Sequence, residues 1–181
     1  YNSAELGKKL YEEELGEKNI HVFNSRGASS TQLLIARKIY EYASQGMSFE
    51  QVVEKVEDYI RGQRTFFVLE TLDVLQRNGR LSKVNAVLAT ALNIKPVMEG
   101  TKLAQARGTK KALAKMAECI VKEGQDLTER ILAIAHCNCY ERAVYLKKLL
   151  EDKLEVKEIV IVDTKGVSSL YACDGGVVVA Y

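Results

Sequence analysis

Two short runs of continuous apolar residues constrain the fold of this chain most strongly. One is ILAIA at residues 131–135 and the other is EIVIV at residues 158–162, and a helical pattern from about Asn138 to Leu150 separates them. Parallel strands are covered on both faces, so they read as unbroken apolar runs, and a crossover helix must connect them. The pattern therefore predicts an α/β fold with a largely parallel sheet.

Other segments have the composition of strands and alternate with helical patterns. The predicted strands are residues 19–23 (NIHVF), 64–69 (RTFFVL) and 177–180 (VVVA), together with a hairpin of residues 94–99 and 102–106 that turns at Gly100-Thr101.

Helical patterns fill most of the remaining chain. Ser48, followed three residues later by Gln51, predicts a capping box at the start of one helix. Residues 84–92 (VNAVLATAL) are almost wholly apolar, which predicts a helix buried on most sides. Four other helices are predicted. The first ends near Gly16, the second runs from a cap at Ser29 or Ser30 through Tyr42, a third begins at Thr71, and a fourth spans residues 109–123.

Composition excludes several classes of protein. With 47% apolar and 28% charged residues among 181, the chain matches an ordinary globular protein, and a net charge of +2 gives no reason to expect nucleic acid as a partner. No run approaches the ~20 apolar residues that span a bilayer. The four cysteines are irregularly spaced, which favours reduced thiols in the cytoplasm.

Several polar segments at the ends of predicted elements are candidate binding sites. The loop and helix start NSRGASST brings Ser25 to a helix N-terminus, where hydroxyls and amides either cap the helix or bind an anion. Arg80 and Arg107 lie at element ends, where each either binds a carboxylate or phosphate or forms a surface ion pair. The Cys173–Gly176 turn (CDGG) either approaches a ligand or only feeds the last strand.

Motifs for catalysis and metal binding are weak. His136-Cys137-Asn138-Cys139 has two soft ligands beside a histidine, but no second Cys/His pair stands at zinc-finger spacing, and Asn138 also fits a helix cap. No phosphate-binding glycine loop, dinucleotide fingerprint, metalloprotease motif or nucleophile elbow occurs. We therefore predict no catalytic residue, no metal and no cofactor.

The segment RTFFVLETLDVLQRNGRLSKVNAVLATALNIKPVMEG resembles the central signature of the DegV family of fatty-acid-binding proteins. The matching residues are Thr71-Leu72, Leu75, Gly79-Arg80-Leu81, the apolar helix, and Ile94-Lys95-Pro96. FNSRGASSTQLL and AQARGTKKAL resemble flanking family segments, with Asn24 where the family usually has aspartate. The resemblance covers nearly the whole chain.

The resemblance implies a fold of two three-layer α/β/α domains with mostly parallel or mixed sheets. Residues 1–63 correspond to the remainder of the first domain, and residues 64–181 to a second domain that holds the acyl-chain pocket. Family members have a serine-glycine pair before the residues that match Tyr1-Asn2-Ser3-Ala4, so the N-terminal part of the first domain is expected to precede Tyr1.

The function implied by the resemblance is that of a fatty-acid carrier rather than an enzyme. A long-chain fatty acid lies in an apolar pocket, its carboxylate sits at the interdomain cleft, and an ATP-dependent fatty acid kinase in the cytoplasm converts it to an acyl phosphate. The residues implied are Ser25, Arg107 and Cys173 for the head group, Arg80 for the rim or the partner, and Phe67, Val87, Leu88 and Ala91 for the acyl chain. Cys173 stands where many members have histidine.

Two other functions fit the residues. One is a small-molecule α/β enzyme that uses Ser25 or Cys173 as its nucleophile, which requires a nearby base. The other is a truncated paralogue that binds a protein partner instead of a lipid. No nucleic acid and no integral membrane segment is predicted in either case.

Overall fold

The computed structural model describes residues 1–79, 93–124 and 126–181. Its helices are α1 (Asn2–Leu15), α2 (Ser30–Ser44), α3 (Phe49–Arg61), α4 (Asp73–Arg77), α5 (Thr109–Glu123), α6 (Tyr140–Glu151) and α7 (Val167–Ala172). Its strands are β1 (Thr65–Val68), β2 (Ile94–Glu99), β3 (Thr101–Arg107), β4 (Ile131–His136), β5 (Glu158–Asp163) and β6 (Val177–Ala180).

The strands form one six-stranded sheet in the order β3-β2-β1-β6-β4-β5. Among the described strands β4 and β5 pair in parallel, with Ala133 opposite Val160, and the other four neighbouring pairs are antiparallel. The α/β class and the mixed sheet are therefore confirmed, whereas the largely parallel sheet predicted from the apolar runs is wrong. β6 is apolar because both of its faces are covered, and that burial does not depend on strand direction.

Helices cover both faces of the sheet and give the three layers expected from the resemblance. α5 packs on β1, β2 and β3, while α6 packs on β4 and β5. These contacts enclose the main core, in which Phe66, Met116 and Leu146 are fully buried. On the other face α2 lies against β4 and β6, where Leu34 contacts Ala133 and Ala180. The division of the chain at residues 63 and 64 stays a prediction.

Local signals located most helices well. The capping box at Ser48 is confirmed, because the Ser48 side chain accepts from the Gln51 amide and the Gln51 side chain accepts from the Ser48 amide. The helix predicted at residues 109–123 has the predicted bounds. α4 begins at Asp73, whose amide donates to the Thr71 hydroxyl at 3.1 Å. α7 is a short helix that the sequence patterns did not indicate.

Two predicted elements have different outcomes. Residues 19–23 do not form a strand, because a strand needs a ladder partner and the described sheet contains none beside them. Instead Phe23 packs against the α2–α3 pair, in contact with the cluster around Ile35 and Val56. The apolar helix predicted at residues 84–92 lies outside the described residues.

The strand directions give the sheet two distinct edges. β1, β3, β4 and β5 end, and β2 and β6 begin, at one edge, which we call the carboxyl edge. The opposite, amino edge is where β1 and β4 begin and β6 ends, with Thr65, Ala180 and Ala133 in one row. Ligands of α/β sheets commonly bind beyond the carboxyl ends of strands, so the carboxyl edge is the first place to look for a site.

Candidate functional site

A small apolar cluster lies at the carboxyl edge, just beyond β1. Leu69, Leu72 and Ala172 are buried there. Phe67, Leu75 and Cys137 are half-buried and pack against them. We call these six residues the rim cluster. They join the end of β1 to α4 and α7 and place Phe67 on a partly exposed apolar surface.

Phe67 is the one predicted acyl-pocket residue that the structure describes. It pairs with Val178 on β6 and Met98 on β2, so its backbone is fixed in the middle of the sheet. The other predicted pocket residues, Val87, Leu88 and Ala91, and the predicted rim residue Arg80, lie outside the described residues. The composition of the pocket stays a prediction.

Beside the rim cluster, Glu70 connects four elements. The Lys95 ammonium donates to the Glu70 carbonyl at 2.8 Å and also pairs with its carboxylate. The Arg142 Nη1 donates to Glu70 Oε1 at 2.7 Å, and the Thr109 hydroxyl donates to the same oxygen at 3.3 Å. The same Arg142 nitrogen donates to the Gly175 carbonyl at 2.7 Å. Glu70 therefore ties β2, α5 and α6 to the turn that begins at Cys173.

The charge on Glu70 is stabilised by these partners. Burial raises the pKa of the carboxyl, but hydrogen bonds from Lys95 and Arg142 outweigh that effect, and the net pKa of Glu70 is lowered. The Lys95 side chain is only 13% exposed. Removing the carboxylate therefore leaves a poorly hydrated cation without its counter-charge.

The Glu70→Gln variant should be less stable than the wild type by about 1–2 kcal/mol at neutral pH, because two cations lose a half-exposed counter-charge. A lowered carboxyl pKa stabilises the fold above the unfolded value near 4.5 and loses that effect as the pH falls through the folded value. The free energies of unfolding of the wild type and Glu70→Gln, measured in urea from pH 7 to pH 3, should therefore approach each other as the pH falls. Glu155→Gln, at an exposed position, is the control; a gap that does not narrow as the pH falls below 4.5 would contradict this role.

Cys173 lies in the turn that Glu70 holds through Arg142. Its backbone has a left-handed φ of 55°, which is uncommon for a residue with a side chain. The turn is fixed to the end of β4, because the Cys137 amide donates to the Gly176 carbonyl at 3.0 Å and the Gly175 amide donates to the Cys137 carbonyl at 2.8 Å. Burial, followed by the nearby Cys137 and Asp73, raises the pKa of the Cys173 thiol.

Arg107 is the last residue of β3 and lies at the same edge. Its side chain is exposed and borders an open cavity of about 260 Å³, together with Ile94 and Ala106. Within the described ranges, no hydrogen bond or ion pair involves the Arg107 guanidinium. An exposed guanidinium at this edge is available to meet an anion.

Ser25 lies elsewhere. Its hydroxyl donates to the Gly27 carbonyl at 2.8 Å, and Gly27 packs closely against Thr31. The Thr31 hydroxyl is 2.6 Å from that of Thr65, which begins β1 at the amino edge. The structure thus brings Arg107 and Cys173 to the carboxyl edge and places Ser25 near the start of β1. A head-group site shared by all three stays a prediction.

The His136–Cys139 segment follows β4 at the carboxyl edge. The buried His136 Nε2 is 3.3 Å from Asp163 Oδ1, and its Nδ1 accepts from the Cys139 amide at 3.3 Å. Both ring nitrogens therefore have protein partners. The described part of the chain holds no group of three or more His, Cys, Asp or Glu side chains placed to bind a metal.

A family model described as "Uncharacterised protein, DegV family" matches residues 1–181. The chain belongs to the DegV family. A DegV domain-containing protein of Streptococcus gordonii is 35% identical over the full chain, which spans 66% of that relative.

Solved structures of family members agree in fold. A DegV family protein from Ruminococcus gnavus ATCC 29149, described with vaccenic acid, is 54% identical with a TM-score of 0.95, over 100% of this chain and 66% of that one. The Fatty Acid Kinase (Fak) B3 protein of Streptococcus pneumoniae, loaded with linoleic acid, is 34% identical with a TM-score of 0.89, over 99% and 66%. In the described residues, no helix is long and apolar enough to cross a membrane.

The sequence patterns did not predict the contacts of Glu70. Their partners are 25, 39 and 72 residues away along the chain, so no local pattern relates them. The available signal was a charged residue directly after an apolar strand, a position where α/β proteins often place functional side chains.

Proposed function

We propose that this DegV protein binds a long-chain fatty acid at the carboxyl edge of its sheet and presents the carboxylate to an ATP-dependent fatty acid kinase. The observation that carries the proposal is the juxtaposition of the rim cluster, whose Phe67 and Leu75 side chains are partly exposed, with the polar Cys173–Gly176 turn. The 54% identity to a family member described with vaccenic acid supports the choice of ligand.

The rim cluster suits the acyl chain. Each methylene removed from water contributes about 0.8 kcal/mol, so a long chain needs a continuous apolar surface more than it needs polar contacts. Phe67 offers an aromatic side chain that the fold leaves partly exposed, and it packs against the cluster of the buried Leu69 and Leu72. The fatty acid would cover the surface that these side chains leave open.

The head group needs a cation or hydroxyl partners, because an unpaired carboxylate is costly to bury. Arg107 supplies an exposed guanidinium at the same edge. The Cys173 thiol, whose pKa is raised, stays neutral and does not repel a carboxylate. Glu70 does carry a charge, but Lys95 and Arg142 neutralise it.

The kinase partner rests on the Fak B3 relative, whose name places it in a fatty acid kinase system. A carboxylate held at a sheet edge, instead of inside the core, is open to a second protein. Phosphorylation by ATP forms an acyl phosphate on that carboxylate and releases ADP, so the proposal includes a cytoplasmic location. The enzyme alternative is less favoured, because a raised thiol pKa opposes nucleophilic use of Cys173.

Calorimetric titration with vaccenic acid below its micellar concentration tests the proposal. The wild type should bind, and Arg107→Met should lower the affinity by about 10-fold or more, as expected for a lost hydrogen bond to a charged group. Arg37→Met, which removes an exposed arginine from α2, should bind as the wild type does. Absence of wild-type binding would contradict the function, and full affinity in Arg107→Met would remove Arg107 from the head-group site.

A further inference from the structure

Arg142 lies in the first turn of α6, and its guanidinium is seated against the Cys173–Gly176 turn. Its Nη1 donates to the Gly175 carbonyl and to Glu70 Oε1, at 2.7 Å in each case. A Cβ at Gly175 would lie 2.5 Å from the same nitrogen, so the turn approaches the guanidinium this closely because residue 175 is glycine. Two acceptors on different elements therefore fix the orientation of the Arg142 side chain.

Only one nitrogen of this guanidinium is used. Arginine presents five N–H donors in a planar fork. Both hydrogen bonds of Arg142 come from Nη1, and in the described part of the chain no protein acceptor receives a hydrogen bond from Nε or Nη2. The side chain is 35% exposed, so it can be reached from solvent. One edge of the fork is thus oriented by the protein and has no protein partner within those ranges.

The cluster around Glu70 also carries an excess positive charge. Its single carboxylate faces both Lys95 and Arg142. Lys95 donates to the Glu70 carbonyl and pairs with the carboxylate, so Lys95 alone balances that charge. Asp73 and Asp174, the acidic residues closest in sequence to Glu70 and Gly175, are exposed and form no ion pair with a described residue. Water screens such exposed charges, which leaves Arg142 as the uncompensated cation.

This cation lies where the rim cluster meets the polar turn. Leu69 of the rim cluster directly precedes Glu70 in the chain. Cys137, another member, accepts through its carbonyl from the Gly175 amide at 2.8 Å. A fatty acid whose chain covers the rim cluster would reach Arg142 with its carboxylate.

We propose, on the basis of the proposed function, that Arg142 binds the fatty-acid carboxylate through Nε and Nη2, as a second cation in addition to Arg107. These two nitrogens donate in parallel and match the two oxygens of a carboxylate. Arg107 is exposed, whereas Arg142 is held in place before the ligand arrives. A side chain that is already ordered loses less conformational entropy on binding.

The test compares the affinities of each variant for vaccenic acid and for vaccenyl alcohol, which has the same hydrocarbon chain but no charge. Arg142→Met should lower the acid-to-alcohol affinity ratio by about 10-fold or more, as expected for lost hydrogen bonds to a charged group. Arg142→Gln, which retains a donor for the Gly175 carbonyl, should lower it similarly, and Arg142→Lys should recover part of it. Arg37→Met, whose arginine pairs with Glu158, should keep the wild-type ratio.

A purely structural role of Arg142 predicts a different result. Loosening the turn would weaken acid and alcohol binding equally, so the ratio in Arg142→Met and Arg142→Gln would equal that of the wild type. That outcome would overturn the proposal for Arg142 and leave the proposed function intact. A wild-type protein that binds neither ligand would contradict the proposed function and, with it, this role of Arg142.

Discussion

Replacing Phe67 by aspartate should lower the affinity for a long-chain fatty acid by about 100-fold or more. The substitution removes an apolar ring from the rim cluster and places a carboxylate where the acyl chain is proposed to lie, so several methylenes lose their contact and a charge must be dehydrated. Calorimetric titration of each purified variant with vaccenic acid measures the loss.

Two matched variants separate this effect from general damage. Phe67→Leu keeps the surface apolar and should lose at most about 10-fold, because only a few methylene equivalents of contact disappear. Tyr40→Asp introduces the same charge at a side chain that is 76% exposed on α2 and should bind as the wild type does. Equal affinities of Phe67→Asp and Tyr40→Asp would show that the acyl chain lies elsewhere.

The Gly176→Ala variant should lose about 3 kcal/mol of stability or more, the largest effect expected of a one-methyl change in this protein. A Cβ at Gly176 would lie 2.2 Å from the carbonyl oxygen of Ala172, a distance that no side-chain movement relieves because the contact is with backbone. Urea unfolding monitored by circular dichroism gives the change. Gly7→Ala on α1, where nothing lies within 4 Å, is the control and should gain up to about 1 kcal/mol.

The same variant should also weaken lipid binding, because the Gly176 carbonyl accepts from the Cys137 amide and holds the Cys173 turn against β4. A Gly176→Ala protein as stable as the wild type would contradict the close packing of this turn. If the variant kept its stability but lost lipid binding, the turn would contribute to ligand binding and not to the stability of the fold.

Local chemistry explains why so much of the fold could be predicted. The Ser48 capping box and the helix at residues 109–123 depend on residues within a few positions of each other. Strands such as β4 and β5 were visible because burial on both faces requires unbroken apolar runs.

Features that depend on distant residues could not be predicted. The direction of β6 is fixed by its antiparallel neighbours β1 and β4, and its apolar sequence is compatible with either direction. Residues 19–23 have strand composition, yet a strand forms only where a partner lies alongside. At the candidate site, the resemblance pointed to Arg107 and Cys173, but the Glu70–Arg142 contact that fixes the Cys173 turn joins residues 72 positions apart.

The central claim is that this protein carries a long-chain fatty acid. Mass spectrometry tests it most directly, by weighing the protein purified from cells first under native conditions and then after denaturation and lipid extraction. We expect a native mass that exceeds the polypeptide mass by that of one fatty acid, and the same fatty acid in the extract. A native mass equal to that of the polypeptide alone, unchanged after incubation with vaccenic acid, would contradict the claim.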